Sequence, residues 1–202
     1  MCGRFSLMVP LKDLQFEFDL DNIPNEFAPK SNITPGSGVA VITNLYPNNL
    51  DFFYWGLIPS WAKDISIARK TFNARSETIN EKPSFKNAFR RRRCLIPTTG
   101  YYEWKKTGAG KVPYHFSLRE ESIFCFAGIW DYWMDPTGNE VYSTTIITCP
   151  ANEFAAEYHD RMPVILDRST RNSWLEDRPL NELQQLLIPY PADGMQAVVA
   201  EI

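Results

Sequence analysis

The stretch IFCFAGIWDYWMDPTGNEVYSTTIIT, residues 123–148, decides the fold. Two runs rich in aromatic and β-branched residues, Ile123–Trp130 and Val141–Thr148, flank a loop that carries Asp135-Pro136-Thr137-Gly138. Such runs on either side of a Pro/Gly cluster are typical of strands joined by a turn. The stretch therefore predicts two strands of a β core.

The residues on either side of this stretch extend the same pattern. Further strands are predicted at Val39–Thr43, Phe52–Gly56, Cys94–Ile96, Gly100–Trp104, Tyr114–Leu118 and Ala197–Val199, with a loop at Gly108-Ala109-Gly110 and another over residues 31–36. Helical spacing predicts helices over residues 10–20, Ser84–Arg91, Ala151–Tyr158, Ser169–Leu175 and Leu180–Leu187. Many short strands at this spacing favour a mostly antiparallel, barrel-like β core with short peripheral helices. We expect an α+β fold that forms a single domain over residues 1–202.

Composition excludes several classes of protein. The 202 residues are 44% hydrophobic and 14% aromatic, which excludes a disordered chain. No apolar run reaches the roughly 18 residues of a membrane span. The N-terminus lacks the apolar region of a signal peptide, so we expect a cytoplasmic protein with no membrane partner. The four cysteines form no C-x-x-C pair, and no motif implies a metal or an organic cofactor.

Charge is distributed unevenly along the chain. The net charge of -3 by itself argues against a nucleic-acid partner. Residues 69–93, however, contain nine basic and two acidic side chains, which gives this basic segment a charge of +7. A localised charge of this kind attracts a polyanion. The alternative is a solvated face whose arginines pair with acidic neighbours elsewhere in the fold.

Cys2 differs from the other cysteines because of its position. Removal of Met1 would leave an α-amine and a thiol on one residue, with ordinary pKa values of about 8 and about 8.5. Such an aminothiol condenses with an aldehyde to a Schiff base and then closes a five-membered thiazolidine ring. The alternative is that Cys2 is a chance residue at a frayed terminus. Cys94, Cys125 and Cys149 are predicted to be small buried hydrophobes.

Two titratable residues in apolar surroundings are candidates for proton transfer. Glu103 lies within the aromatic run Gly100–Trp104, where burial would raise its pKa toward neutrality; the alternative is that strand alternation turns it to solvent. His159 follows a predicted helix, whereas His115 has the pattern of an ordinary strand residue.

Polar and aromatic residues elsewhere are candidates for binding. Asn73 and Arg75 open the basic segment and could hold a ligand or a phosphate. Trp55 and Trp61 offer rings on which bases stack, or else belong to the core.

Seven motifs occur together and in order. They are Met1-Cys2-Gly3-Arg4-Phe5, Trp55-Gly56-Leu57-Ile58-Pro59-Ser60-Trp61, Asn73-Ala74-Arg75-Ser76-Glu77-Thr78, Cys94-Leu95-Ile96-Pro97, Gly100-Tyr101-Tyr102-Glu103-Trp104, Ala127-Gly128-Ile129-Trp130 and His159-Asp160-Arg161-Met162-Pro163. This set resembles the SRAP (SOS-response-associated peptidase) family of abasic-site processing proteins, over residues 1 to about 166. The dense Arg90–Arg93 cluster departs from the family pattern, as does the Ala62-Lys63 pair after Trp61.

The resemblance implies covalent capture of abasic sites in single-stranded DNA, through a thiazolidine crosslink that shields the lesion during the DNA damage response. It implies Cys2 as nucleophile, Asn73 as the residue that orients it, Glu103 as general acid and base, and His159 as a proton-transfer partner. The DNA contacts implied are Arg4, Pro35, Trp61, Arg75, Arg90, Thr148, Arg161 and Met162. We expect a monomer without cofactor, associated with the nucleoid if the source is bacterial.

Two other functions remain open from the sequence. One is a cysteine hydrolase or autopeptidase that uses Cys2 as an N-terminal nucleophile, with His159 as base. The other is a non-enzymatic nucleic-acid binding module in which Cys2 plays no part. The basic segment favours DNA over a peptide substrate, because a peptidase does not need a +7 segment.

Overall fold

A computed structural model describes residues 2–108 and 110–202 of the chain. Met1, in the predicted N-terminal motif, and Ala109, in the predicted loop at 108–110, lie outside the described residues. The strands are β1 (Phe5–Leu7), β2 (Lys30–Ile33), β3 (Gly38–Thr43), β4 (Asp51–Trp55), β5 (Asn73–Arg75), β6 (Arg93–Thr98), β7 (Gly100–Thr107), β8 (Gly110–Leu118), β9 (Phe124–Met134), β10 (Glu140–Pro150), β11 (Arg161–Pro163), β12 (Ile165–Leu166) and β13 (Met195–Val199). The helices are α1 (Leu11–Phe18), α2 (Lys86–Arg91), α3 (Glu153–Ala156), α4 (Arg171–Leu175) and α5 (Leu180–Gln185), with 3-10 helices at Ile65–Lys70 and Ala192–Gly194.

The centre of the fold is a closed barrel that contains the stretch of residues 123–148. β9 and β10 pair antiparallel, from Glu140 opposite Met134 to Ile146 opposite Gly128. The order β10-β4-β3-β6-β9 runs round the barrel, and the β9–β10 pairing closes it. The pairs are antiparallel except that β10 runs parallel to β4 and to the short β5. The predicted α+β class with a mostly antiparallel, barrel-like core is confirmed.

A second antiparallel sheet, in the order β13-β8-β7-β1-β2, packs against the barrel. Phe5 of β1 makes this junction, because its ring lies 5.1 Å from the ring of Trp55 and 5.6 Å from that of Phe126. One continuous hydrophobic core therefore includes residues of both sheets. This packing fixes the start of the chain against the barrel.

Strand β6 runs through the core and is buried along its whole length. Its one charged residue, Arg93, donates hydrogen bonds to the backbone carbonyls of Phe89, Arg90, Trp174 and Glu176. A buried charge persists only where its donors are satisfied in this way. Arg93 is thus a structural residue that ties α2 and the end of α4 to the barrel.

Several elements differ from the sequence prediction. The predicted loop over residues 31–36 is partly wrong, because Lys30–Ile33 forms β2 on the edge of β1. The short strands β1, β5 and β11 carry no periodicity of their own and form through pairing with distant strands. The helix predicted over residues 10–20 is confirmed as α1 and ends at Asp19, which has a left-handed φ of 51°.

The structure confirms the sequence prediction for three of the cysteines. Cys94, Cys125 and Cys149 are buried, as predicted. No helix in the described parts of the chain combines the length and apolar character that a membrane crossing requires.

Candidate functional site

Strand β1 carries Cys2 into the interior, next to strand β7. Phe5 pairs with Tyr101, and the N–H of Tyr102 donates to the carbonyl of Arg4 at 2.9 Å. Continuing this antiparallel register toward the N-terminus brings the residue after Cys2 alongside Glu103. Cys2 itself is fully buried, so the chain is not frayed at this residue.

Asn73 holds the backbone of Cys2 in place. Its side-chain amide donates to the Cys2 carbonyl at 2.7 Å. The parallel pairing of β5 with β10 puts Asn73 opposite Ile146 and thereby fixes the amide. The Oδ1 atom of Asn73 is buried and accepts no hydrogen bond from the described residues. An acceptor left open at this point suits a donor group on a ligand.

The Cys2 thiol is held in its neutral form. Its Sγ lies 4.0 Å from the carbonyl oxygen of Arg4, to which it donates. Burial raises the pKa of the Cys2 thiol well above its usual range, and the nearby Glu103 charge raises it further. The Glu103 carboxyl thus lies close enough to influence the thiol, and a group in that position can accept the thiol proton.

Glu103 is buried and not turned to solvent, with 5% of its surface exposed. Burial raises the pKa of Glu103, while the neighbouring His159 acts in the opposite direction. Both residues line one cavity of about 860 Å³. A carboxyl with a raised pKa beside a histidine in a cavity is a typical general acid–base arrangement.

The segment after α3 positions His159. The Asn152 side chain caps α3 by accepting from the N–H of Ala155 at 2.7 Å, and the N–H of His159 donates to the Ala155 carbonyl at 3.1 Å. The Nδ1 atom of His159 accepts from the N–H of Arg161 at 3.0 Å and lies 2.8 Å from the Asp160 carboxylate. The hydrogen bond from Arg161 orients the ring, which lines the cavity.

Arg161 is engaged by Glu77 and not left open. Its guanidinium makes a two-pronged ion pair with Glu77 and also donates to the carbonyl of Thr148 at 2.7 Å. The hydrogen bonds from Arg161 lower the pKa of Glu77 to about 2. Thr148, which is fully buried on β10, accepts from the same guanidinium at 3.2 Å.

The other predicted DNA-contact residues lie in different settings. Arg75, Arg90 and Trp61 are exposed, Arg4 and Pro35 are half-buried, and Met162 is fully buried. The guanidinium of Arg4 lies over the Trp104 ring, 5.4 Å from its centroid. The sulfur of Met162 accepts from the backbone N–H of Asn152 at 3.4 Å, so this residue sits in the core.

The two tryptophans of the aromatic turn have separate environments. Trp55 belongs to the core, whereas Trp61 is 55% exposed. The N–H of Ser60 bonds Asp131, and the carbonyl of Ala62 accepts from Trp133, so the turn carries Trp61 at the outer end of β9.

The structure thus brings together the four predicted catalytic residues, with Thr148 and Arg161 on the adjoining strands. It leaves Trp61 and Arg90 on other parts of the surface. No group of three or more His, Cys, Asp or Glu side chains placed to hold a metal ion occurs within residues 2–108 and 110–202.

Two residues of the site were not singled out from the sequence. Glu77 lies in a quoted motif, but its pairing with Arg161 joins residues 84 positions apart. Tyr101 is fully buried, and the part of the chain that is described offers its hydroxyl no hydrogen-bond partner. Burial and the charges of Cys2 and Glu103 raise the pKa of this hydroxyl. The signal for Tyr101 is the alternation of β7, which puts residues 101 and 103 on one face.

Comparisons with known proteins agree with one another. A sequence model described as "SOS response associated peptidase (SRAP)" matches residues 1–201. The chain is 42% identical to the abasic site processing protein YoqW of Bacillus subtilis (strain 168), over 98% of this chain and 91% of that protein. It is 36% identical to the abasic site processing protein HMCES of Gallus gallus, over 67% of this chain and 48% of that protein. An X-ray structure of a protein from Bacteroides thetaiotaomicron matches with a TM-score of 0.88 at 30% identity, covering 99% of this chain and 92% of that one.

Proposed function

The chain belongs to the SOS response associated peptidase (SRAP) family, and from that membership we propose that it captures abasic sites in single-stranded DNA as a covalent adduct of Cys2. The observation that carries the proposal is the position of Cys2, which is buried beside Glu103 with its backbone held by Asn73. The relatives named as abasic site processing proteins support the substrate.

The chemistry uses both nucleophiles of an N-terminal cysteine. After hydrolytic removal of Met1, the Cys2 amine adds to the aldehyde of the opened deoxyribose. Loss of one water, with a proton supplied to that water, gives a protonated C=N Schiff base. The thiol then adds across that bond, so that a C–S bond forms and the nitrogen keeps a proton, closing a thiazolidine ring. The overall change is the formation of one C–N and one C–S bond with release of one water.

Glu103 and His159 carry the protons for these steps. The thiol of Cys2 enters the reaction protonated, because burial raises its pKa. Sulfur becomes nucleophilic only as its proton leaves, and the Glu103 carboxylate is the neighbouring group that accepts it. The raised pKa of Glu103 keeps its carboxyl protonated enough to give a proton to the departing water first, and the carboxylate so formed then accepts the thiol proton. His159, on the same cavity, assists at the opened sugar.

The surroundings of the cavity fit a DNA strand. Arg75 is exposed on β5, two residues after Asn73, and lies opposite Thr148 of β10. In the basic segment of residues 69–93, Arg90 and Arg91 are exposed on α2, whereas Arg93 is buried and Arg92 pairs with Asp131 at 2.6 Å. Arg4 and Arg161 are the other candidates for phosphate contacts, and Arg161 would exchange its Glu77 partner for a phosphate. We propose that the protein acts in the DNA damage response, in the cytoplasm or at the nucleoid.

The raised thiol pKa argues against a cysteine hydrolase. A hydrolase of that type depends on a thiolate in an electropositive environment. In this structure the neighbour of Cys2 is a carboxyl group, and burial favours the neutral thiol. Aldehyde capture by the amine does not need a preformed thiolate.

A denaturing gel tests the proposal. The protein is mixed with a single-stranded oligonucleotide that carries one abasic site, then heated in detergent. We expect a shifted band with the abasic strand and none with the intact strand. Cys2→Ser should abolish the band, whereas Cys125→Ala, which removes a buried cysteine of β9 opposite β12, should keep it. An undiminished band with Cys2→Ser, or no band with the abasic strand, contradicts the proposal.

A further inference from the structure

Two lysines face each other on the hairpin formed by β7 and β8. Lys106 and Lys111 are direct partners in the register of the two strands, and both are exposed. Like charges directly opposite each other destabilise a sheet. Neither ammonium group has an ion-pair partner among the residues that the structure describes. The adjacent Lys105, by contrast, pairs with Glu157 at 3.1 Å.

This lysine pair belongs to the cavity that holds the candidate proton-transfer groups. Lys106 and Lys111 line the same space of about 860 Å³ as Glu103 and His159. Along β7, Lys106 is three residues beyond Glu103, a rise of about 10 Å. Lys106 lies on the opposite face of β7 from Glu103, so the pair lines the cavity about 10 Å along the strand from that carboxyl, and it is outside the basic segment of residues 69–93.

An aromatic ring lies next to Lys106 on the same face of β7. Trp104 lines the same cavity and shares one face of β7 with Lys106. The Trp104 ring is half-buried, with the guanidinium of Arg4 against it at 5.4 Å. Basic side chains next to an aromatic ring are typical of surfaces that follow a single strand.

The acidic groups of the cavity do not cancel this charge at the hairpin. Glu157 pairs with Lys105 at 3.1 Å, and among the described residues neither Lys106 nor Lys111 forms an ion pair with Asp160 or Glu103. Lys106 and Lys111 are thus the cations on this rim that remain without an acidic partner among the described residues.

We propose that Lys106 and Lys111 form a phosphate-binding subsite for the strand next to the reacting abasic sugar, with Trp104 as the stacking surface for the neighbouring base. The inference rests on the proposed function, since it names further contacts of the same substrate. Binding of phosphates relieves the repulsion between the two ammonium groups. The lysines position the strand and take no part in bond formation.

Salt-dependent binding tests this subsite. Affinity of the full chain for an intact single-stranded oligonucleotide is measured by fluorescence anisotropy across a range of salt concentrations. Each phosphate contact on a single strand contributes about 0.7 to the slope of log affinity against log salt. Lys106→Gln/Lys111→Gln should therefore reduce the slope by about 1.4. The matched variant Lys12→Gln/Arg178→Gln, which removes the same charge from α1 and from the segment before α5, should leave it unchanged.

Crosslinking separates this inference from the proposed function. The lysine variant should still crosslink abasic DNA, and at subsaturating DNA its rate should fall in proportion to its weaker binding. Its melting temperature should equal or exceed that of the wild type, because the repulsion is gone. A slope equal to the wild-type slope, or an equal loss in the control variant, overturns the subsite. Failure of the wild type to crosslink overturns the proposed function and leaves the salt slope to decide the phosphate contacts.

Discussion

Replacement of Glu103 by Gln separates the chemistry of the site from its stability. Gln keeps the size of the side chain but cannot exchange a proton at neutral pH. The carboxyl is 5% exposed, and its pKa is raised by burial. A general acid–base group contributes about 10²–10⁴-fold to a rate. We therefore expect crosslink formation by Glu103→Gln to be at least about 100-fold slower, equivalent to about 2.7 kcal/mol of barrier.

The same substitution should not weaken the fold near neutral pH. A glutamate in the unfolded chain titrates near pH 4.3, and the pKa of Glu103 in the folded protein is higher. The folded state therefore binds the proton more tightly, and Glu103 stabilises the wild type fully only below about pH 4.3. That contribution is lost as the pH rises through the folded pKa. The stability of Glu103→Gln relative to wild type should accordingly increase from acid to neutral pH.

Single-turnover kinetics at saturating abasic DNA, read on a denaturing gel, measure the effect. Rates are collected between pH 5 and 8 for wild type, Glu103→Gln and the control Glu157→Gln, whose exposed carboxylate lines the same cavity. We expect the control to retain the wild-type rate and profile. Glu103→Gln should be slow and lose the pH-dependent limb that Glu103 imposes. A rate within a few-fold of wild type, with folding and DNA binding intact, would refute general acid–base catalysis by Glu103.

Three further substitutions probe the frame of the site. Asn73→Ala removes the 2.7 Å hydrogen bond to the Cys2 carbonyl, which is worth about 1 kcal/mol. Single-turnover crosslinking should therefore slow by about fivefold. An unchanged rate would show that Asn73 does not position Cys2. Gly100→Ala places a methyl group 2.3 Å from the His115 imidazole and 2.5 Å from the backbone oxygen of Phe116. The free energy of unfolding in urea should therefore fall by about 1–3 kcal/mol. A variant as stable as the wild type would contradict this packing. Glu77→Gln should cost about 1 kcal/mol at pH 7, after allowance for solvent screening of its half-exposed ion pair with Arg161. That loss should diminish as the pH falls from 4.5 toward about 2, and urea titrations at pH 7 and pH 3 that gave equal losses would exclude the ion pair as its source.

The sequence predicts the long strands of this fold well, because each has a periodic or continuous apolar pattern. The runs at Ile123–Trp130 and Val141–Thr148 lie within β9 and β10, which close the barrel. The sequence does not predict the three-residue strands. Asn73–Arg75 becomes a strand because β10 offers it a parallel partner, and no local pattern records a partner that is distant in the chain.

The sequence likewise indicates some residues of the candidate site but not the contacts between them. The sequence could suggest Cys2 from its position and Glu103 from its apolar neighbours, but it left open whether Glu103 faces solvent. The structure resolves this because β1 inserts beside β7 and buries both residues. The sequence could not predict the ion pair between Arg161 and Glu77, because it depends on the tertiary packing of β11 next to β10.

In the proposed reaction, Cys2, freed of Met1, supplies both the amine and the thiol to one abasic site. Intact mass spectrometry of the purified adduct tests it most directly. We expect a mass equal to the protein without Met1 plus the abasic oligonucleotide minus one water, and no adduct with Cys2→Ser. An adduct that retains Met1, or one that forms on Cys2→Ser with the same mass loss, would contradict it.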